Sequence, residues 1–210
     1  ITDDERIQNN IKDIGGNTIV VQEECLNGTE RICLAIKQNP ELFSRSKIII
    51  NIQGDEPFIE PENISKIITT YQNNSKNNSK NKNNKNIVCS TLHYQITNWD
   101  ELSNPNIGKL VLDKNSCIMY CSRNCIPSNK ELKPDLERQI YYGHIGVFLF
   151  EKEYLLNHYL EENTNCQKEE DIEWLKIIEQ GFKIVSTEVK NYEIGVNTQQ
   201  DYDYLLQKYF

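Results

Sequence analysis

The run Lys47-Ile48-Ile49-Ile50-Asn51-Ile52 constrains this chain more than any other segment. Its apolar residues are contiguous instead of alternating, which predicts a strand buried on both faces, as in a parallel sheet covered by helices. Ligands of open α/β sheets bind beyond the carboxyl ends of the strands, so the residues that follow are the first candidates for chemistry. They read Gln53-Gly54-Asp55-Glu56-Pro57. Gly54 lets the backbone turn and Pro57 fixes the exit, while Asp55 either offers Mg²⁺ a hard oxygen ligand or caps the next turn. These residues taken alone favour neither reading.

The flanks carry the same rhythm. Thr2 and Glu5 form a capping-box pattern, with Ile7, Ile11 and Ile14 on one helical face before Gly15-Gly16. Strands are predicted over 18–21, 87–94 and 143–150. Helices are predicted over 30–38, through Ile64, Ile67, Ile68 and Tyr71, over 99–102 and over 152–160. Trp174, Ile177 and Ile178 mark a helix closed by Gly181, followed by a strand over 182–185. Thr198 and Asp201 cap a last helix whose inner face is Tyr202, Leu205, Leu206 and Tyr209. Residues 107–113 and 117–120 read as a hairpin around Lys114-Asn115. Alternating strands and helices predict one three-layer α/β domain over residues 1–210 with a mostly parallel sheet. Residues 107–150 break the alternation as an antiparallel subdomain or dimer arm. The Asn/Ser/Lys tract at 72–86 is too polar to repay its ordering entropy and reads as a surface insertion.

A single domain suits 210 residues with 26 % charged side chains, and no apolar run approaches the ~20 residues that cross a bilayer. The net charge of −8, without a Lys/Arg-rich stripe, argues against nucleic-acid binding. Seven cysteines without small-scaffold spacing fit reduced thiols in a reducing compartment. Cys117, Cys121 and Cys125 are four apart, which gathers ligands on a helix but not on a hairpin. Cys25 and Cys166 have no neighbouring base in sequence, and Glu169-Glu170-Asp171 reads as a solvated first helical turn. Asn27-Gly28-Thr29-Glu30-Arg31 joins a strand to a helix, where backbone N–H groups could receive a ligand oxygen or where the segment simply caps the helix.

Taken in order, several short segments resemble one family. Thr2-Asp3-Asp4-Glu5-Arg6-Ile7 is similar to its T-D-D-E-R-I segment, Asn27-Gly28-Thr29-Glu30-Arg31 to S-G-T-E-R, and Asn51-Ile52-Gln53-Gly54-Asp55-Glu56-Pro57 to N-V-Q-G-D-E-P. Asn104-Pro105-Asn106, Tyr120-Cys121-Ser122-Arg123 with Ile126-Pro127, and His144-Ile145-Gly146 resemble N-P-N, Y-F-S-R…I-P and H-L-G. Glu170, Glu173, Leu175 and Lys176 resemble E-x-x-E-x-L-R, and Gly195-Val196-Asn197-Thr198 resembles G-V-D-T. Each match is weak alone, but the ordered set resembles the CMP-KDO synthetases, the 3-deoxy-manno-octulosonate (KDO) cytidylyltransferases.

The resemblance implies a Rossmann-like nucleotidyltransferase fold, a homodimer, and Mg²⁺-dependent attack of the KDO anomeric hydroxyl on the α-phosphate of CTP, releasing pyrophosphate. It implies Asp55 and Asn197 as metal ligands, with Asp55 and Arg123 the catalytic groups. Gly28, Thr29 and Arg31 would border the nucleotide. Gln53, Arg123, His144, Glu170 and Glu173 would shape the acidic-sugar site, Arg123 facing the sugar carboxylate and His144 a hydroxyl. Asn197 stands where the family has a second aspartate, Trp174 where it has Gln and Phe148 where it has Tyr. The family's first strand and cationic triphosphate loop have no counterpart in these residues, which start at Ile1. The 210 residues by themselves are therefore expected to be a poor catalyst of low solubility or stability. The alternatives are a non-catalytic dimeric homologue and a cytidylyltransferase for another acidic sugar such as sialic acid. The expected compartment is the cytoplasm, or an organelle if a targeting segment lies upstream.

Overall fold

The computed structural model describes residues 1–77, 86–131, 133–190 and 192–210. The chain forms two compact units, Ile1–Ile49 with Glu151–Glu162, and Ile50–Phe150 with Asn163–Phe210.

In the first unit, α1 (Glu5–Asp13) is capped by Asp4, whose carboxylate accepts from Arg6 N, and not by Thr2 as the sequence pattern suggested. Its apolar stripe is present but unburied, with Ile7 52 % and Ile14 80 % exposed. The strand predicted over 18–21 is only a parallel bridge between Thr2 and Val20. Helix α2 (Gly28–Gln38) starts at Asn27, whose side-chain oxygen accepts from Glu30 N, and it buries Thr29, Ile32, Cys33, Ala35 and Ile36. It packs on a π-helical turn, Leu155–Tyr159, that follows the short α5 (Lys152–Tyr154). Sequence spacing predicted one α-helix there; the wider turn buries Leu155 and Tyr159.

The sheet has six strands. These are β1 (Ile48–Ile52), β2 (Ile87–Ile96), β3 (Lys109–Leu112), β4 (Ile118–Ser122), β5 (Tyr141–Glu151) and β6 (Lys183–Glu188). Their order is β4-β3-β5-β2-β6, with β1 pairing to β5 off that path. The α/β fold class stands, but the sheet is mixed: β2 runs parallel to β6, while the β2/β5, β3/β4 and β3/β5 pairs are antiparallel. The predicted hairpin is therefore continuous with the main sheet. Strand β1 is only half-buried and Ile52 is exposed, a departure from the two-sided burial expected of it.

The core centres on β2 and β5. Ile145, Val147, Leu149 and Phe150 are fully buried, each contributing roughly 1.5–3 kcal/mol by leaving water. Helix α3 (Pro61–Asn77) packs on β2 and β6. It absorbs residues 72–77 of the expected insertion, whose residues 78–85 lie outside the described residues. Helix α4 (Trp99–Ser103) precedes β3, and α7 (Leu175–Glu179) packs on β4 and β6. Helix α6 (Asn165–Glu170) had no apolar signature; Glu179 receives Cys166 N and Gln167 N at its start. The Glu169-Glu170-Asp171 cluster thus closes a helix, with Asp171 in the left-handed region, instead of opening one. In α8 (Gln199–Tyr209) the predicted capping box is present, yet only Leu205 of the expected inner face is buried.

Candidate active site

A bulge interrupts the β2/β5 ladder. Thr91 pairs with Phe148 but Leu92 with Ile145, leaving Gly146 and Val147 unmatched. The Gly146 carbonyl accepts from Gln53 N at 3.2 Å and its N–H donates to Glu56 Oε1 at 2.9 Å. A Cβ at Gly146 would run into Gln53 Oε1, so any larger residue would displace the Gln53 side chain from its place at the cavity. The bulge thereby ties the end of β1 to the centre of the sheet.

Beside it, within the second unit, lies a cavity of about 410 Å³ whose walls include Gln53, Asp55, Arg123, His144, Glu173 and Asn197. Six of the site residues expected from sequence thus meet in one place. Glu170 does not line it. Its carboxylate accepts from Arg123 N at 2.9 Å and from Tyr120 Oη–H at 3.3 Å, which anchors the end of β4. Gly28, Thr29 and Arg31 belong to the first unit. A Cβ at Gly28 would meet nothing within 4 Å, Thr29 is buried, and Arg31 pairs with Asp3 at 2.7 Å and donates to Val21 O.

Asp55 Oδ1 is buried with no hydrogen-bond partner. Its backbone oxygen accepts from Val196 N at 2.7 Å, which sets Asn197 next along the loop that faces it. Seven carboxylates line the cavity (Asp55, Glu56, Asp100, Glu101, Asp171, Glu173 and Asp201) against one cationic side chain, Arg123. Such a site repels a polyphosphate unless a cation is added. An orphaned carboxylate oxygen with a nearby amide fits Mg²⁺, which keeps one or two protein ligands and completes its shell from phosphates and water. The described residues contain no cluster of three or more His, Cys, Asp or Glu able to hold a metal without such help.

Glu56, given no role from the sequence, is the hub of the cavity floor. It is buried, and Tyr192 Oη–H donates to both its oxygens at 3.3 and 3.4 Å. Burial, reinforced by the Asp55 charge, pushes its carboxyl up to about 7 despite the Gly146 and Tyr192 bonds. Tyr192 also accepts from Gly195 N, so Glu56 links β1, β5 and the loop carrying Asn197.

Arg123 was expected to meet a sugar carboxylate. Its Nε donates to Glu170 O, Nη1 to Pro105 O and Asn106 O, and Nη2 to Asp171 O at 2.7 Å. Four of its five N–H groups are thus occupied, all by neutral carbonyls. Among the described residues no carboxylate forms an ion pair with it, so its positive charge remains available to the cavity.

His144 lies 5.0 Å from both the Phe148 and the Trp174 ring. Burial, with smaller contributions from His93 and Arg123, pushes it down to about 3, so it is neutral at pH 7. Its tautomer follows from Thr91. That hydroxyl donates its one proton to Val147 O at 2.7 Å, so at 2.9 Å it accepts from His144 Nε2–H. Nδ1 is then an acceptor, suited to a hydroxyl donor. Gln53 Nε2 donates to Glu173 Oε1 at 3.3 Å, which orients both side chains at the cavity wall.

A family profile described as cytidylyltransferase matches residues 1–194. A 3-deoxy-manno-octulosonate cytidylyltransferase of Fusobacterium nucleatum is 34 % identical over 206 residues, covering 98 % of this chain and 76 % of the relative. The Arabidopsis thaliana protein named as the mitochondrial form is 35 % identical over 95 % of this chain and 64 % of its own length. Among solved structures, a CMP:2-keto-3-deoxy-manno-octonic acid synthetase complexed with CTP aligns with a TM-score of 0.81 at 23 % identity, covering 99 % of this chain and 79 % of that one. With these likenesses spanning nearly every residue, the chain belongs to the cytidylyltransferase family, among the 3-deoxy-manno-octulosonate cytidylyltransferases.

Proposed function

We propose that the protein joins CTP to KDO, forming CMP-KDO and pyrophosphate, with the second-unit cavity as the transfer site. The observation that carries this reading is the buried, unpartnered Asp55 Oδ1 in a cavity of seven carboxylates and one arginine. That electrostatic balance suits an anionic nucleotide only when a metal ion accompanies it. Asp55 and Asn197 would hold Mg²⁺, which when bound neutralises phosphate charge and favours departure of pyrophosphate. Asn197 supplies an amide oxygen without charge, so Asp55 dominates the site.

The rest is alignment by side chains. Arg123 attracts the sugar carboxylate through its uncompensated charge and remaining N–H. His144 Nδ1 accepts from a sugar hydroxyl, and Gln53 with Glu173 fixes another edge of the ring. In-line attack then needs orientation more than covalent chemistry, and a neutral His144 keeps that acceptor available across the physiological range. Gly28 and Thr29 are proposed to border the nucleotide, with Arg31 acting through its bonds to Asp3 and Val21.

The segment 107–150 is proposed as the homodimer contact, because β4 is an edge strand that carries Met119, 58 % exposed. Sedimentation at micromolar concentration should give twice the monomer mass, and a purely monomeric species would refute the contact. Among the described residues no helix is long and apolar enough to cross a membrane. A cytoplasmic site is proposed, with the mitochondrial form named in the plant relative as the alternative.

The functional reading is tested on the full-length gene product by pyrophosphate release from CTP and Mg²⁺ with KDO, with sialic acid, or with no acceptor. Release with KDO alone supports it. Release with sialic acid alone reassigns the acceptor, and no release with any acceptor contradicts the reading.

A further inference from the structure

One wall of the cavity is the loop between α4 and β3, and its carbonyls follow a pattern that no motif announced. Lys109 is fully buried, yet among the described residues no carboxylate pairs with it. Its Nζ donates at 2.8 Å to both Asn104 O and Ile107 O. Arg123 takes the two carbonyls between them, Pro105 O and Asn106 O. The next carbonyl, Gly108 O, accepts from His144 N at 2.9 Å, and a Cβ at Gly108 would approach Cys121 Sγ to 2.9 Å. Five consecutive carbonyls are therefore fixed by two cations and by the backbone of His144. Asn104 Oδ1 accepts from Asn106 N, closing the turn, while Asn106 itself is exposed and lines the cavity.

Burying an ammonium without a counter-ion is costly, so the arrangement calls for a return other than stability. We propose that Lys109 is a positioning residue for the sugar acceptor: together with Arg123 it locks the Asn104–Gly108 peptides so that Asn106 meets the sugar beside Arg123 and His144. The inference rests on the functional reading above and extends its acceptor site to a residue that touches no substrate and to one that does. Lys109 removes the loop's freedom before binding, so the acceptor meets a preformed wall.

The test separates position from fold. Lys109→Met keeps the length and apolar stem but frees the Asn104 and Ile107 carbonyls. The KM for KDO should rise about 10-fold while the KM for CTP holds, beyond any loss of melting temperature from the two freed carbonyls. A merely structural lysine would give the opposite split, a lower melting temperature with KM for KDO unmoved, and that result overturns the proposal. Because Lys109→Met alters a buried site, Asn106→Ala probes the same wall from an exposed position, and its KM for KDO should rise at least about 3-fold. An unchanged value there overturns the proposal whatever Lys109→Met does. Binding is read independently of turnover from Trp174 fluorescence in a Trp99→Phe background, titrated with KDO. A protein with native Lys109 and Asn106 that neither binds nor turns over KDO overturns the functional reading and this inference together. Native binding with undiminished variants overturns this inference alone.

Discussion

Arg31 at the start of α2 and Arg123 at the end of β4 carry the same fork of donors and are held in opposite ways. Arg31 is neutralised by Asp3 at 2.7 Å and ties the Val21 carbonyl to its helix. Arg123 is gripped by four carbonyls and keeps its charge. The first arrangement builds structure; the second presents a fixed cation to an acidic cavity. The surrounding bonds differ in the same sense. At the start of α2 short-range bonds dominate, Asn27 to Glu30 and Glu30 to Leu26, with one long-range bond from Tyr159 Oη–H to Asn27 Oδ1 at 3.5 Å. Around the cavity they join residues far apart in sequence, Gln53 to Glu173 and Glu56 to Gly146.

That contrast ranks the expected effects. Asp55→Asn, which keeps shape and removes the charge facing the cavity, should cut kcat about 10³-fold at saturating CTP and Mg²⁺. A loss under ten-fold in a stopped pyrophosphate assay would move the metal site elsewhere. Arg123→Met should lower kcat/KM for KDO about 10²-fold, the scale of a lost charge-assisted contact plus a loosened loop. Arg31→Met should instead leave the kinetics for KDO alone and lower the melting temperature by several degrees. If both arginines behave alike, the distinction between them fails.

The histidines give a smaller, pH-dependent effect. Burial holds His93 near 4 and His144 near 3, below their ordinary value of 6.5. Between those values and 6.5 the unfolded chain binds protons that the folded chain refuses. Stability should therefore be complete above pH 6.5 and fall on acidification, by on the order of 1 kcal/mol per pH unit for each histidine. Urea unfolding from pH 7 to 5 measures it, and a His93→Gln variant should show a shallower slope. Glu56, raised to about 7, acts in the opposite direction, because the folded state retains its proton between 4.5 and 7. Glu56→Gln should accordingly steepen the acid loss. The smallest expected effect belongs to Gly28→Ala. Its Cβ enters open space at a helix start, so the helix should gain up to about 1 kcal/mol, while KM for CTP rises a few-fold if the nucleotide occupies that space. A gain in stability with unchanged KM would remove Gly28 from the nucleotide border.

The alternation of strands and helices was legible because apolar runs such as Ile48–Ile50 and Val147–Phe150 mark strands directly. The strand-loop at Gln53 to Pro57 and the gathering of Arg123, His144, Glu173 and Asn197 followed from ordered motifs. What stayed hidden was set by distant partners. Helix α6 carries no apolar stripe, and its start is held by a local Thr164/Gln167 capping box, which is visible in the sequence, together with Glu179, nine residues beyond its end. Lys109 reads as an ordinary residue of the strand predicted over 107–113, since nothing local shows that its ammonium turns back onto Asn104 and Ile107. Glu56 sat in plain view beside Asp55, but its partners Gly146 and Tyr192 lie 90 and 136 residues away. Arg123 lines the cavity, as its motif suggested, while the carbonyls that hold it could not be read because backbone acceptors leave no mark in sequence. The exposed stripe of α1 shows the converse limit: periodicity predicts a helix without saying what covers it.

The central claim is that the sugar's own anomeric oxygen attacks the α-phosphate in the cavity at Asp55. Supplying KDO labelled with ¹⁸O at that oxygen, with unlabelled CTP and Mg²⁺, and weighing both products tests it most directly. Attack by the sugar puts the label in the bridge between the sugar and CMP, with pyrophosphate unlabelled and Asp55→Asn forming neither product at a comparable rate. Unlabelled CMP released alongside intact labelled KDO would show that water is the nucleophile, and would contradict it.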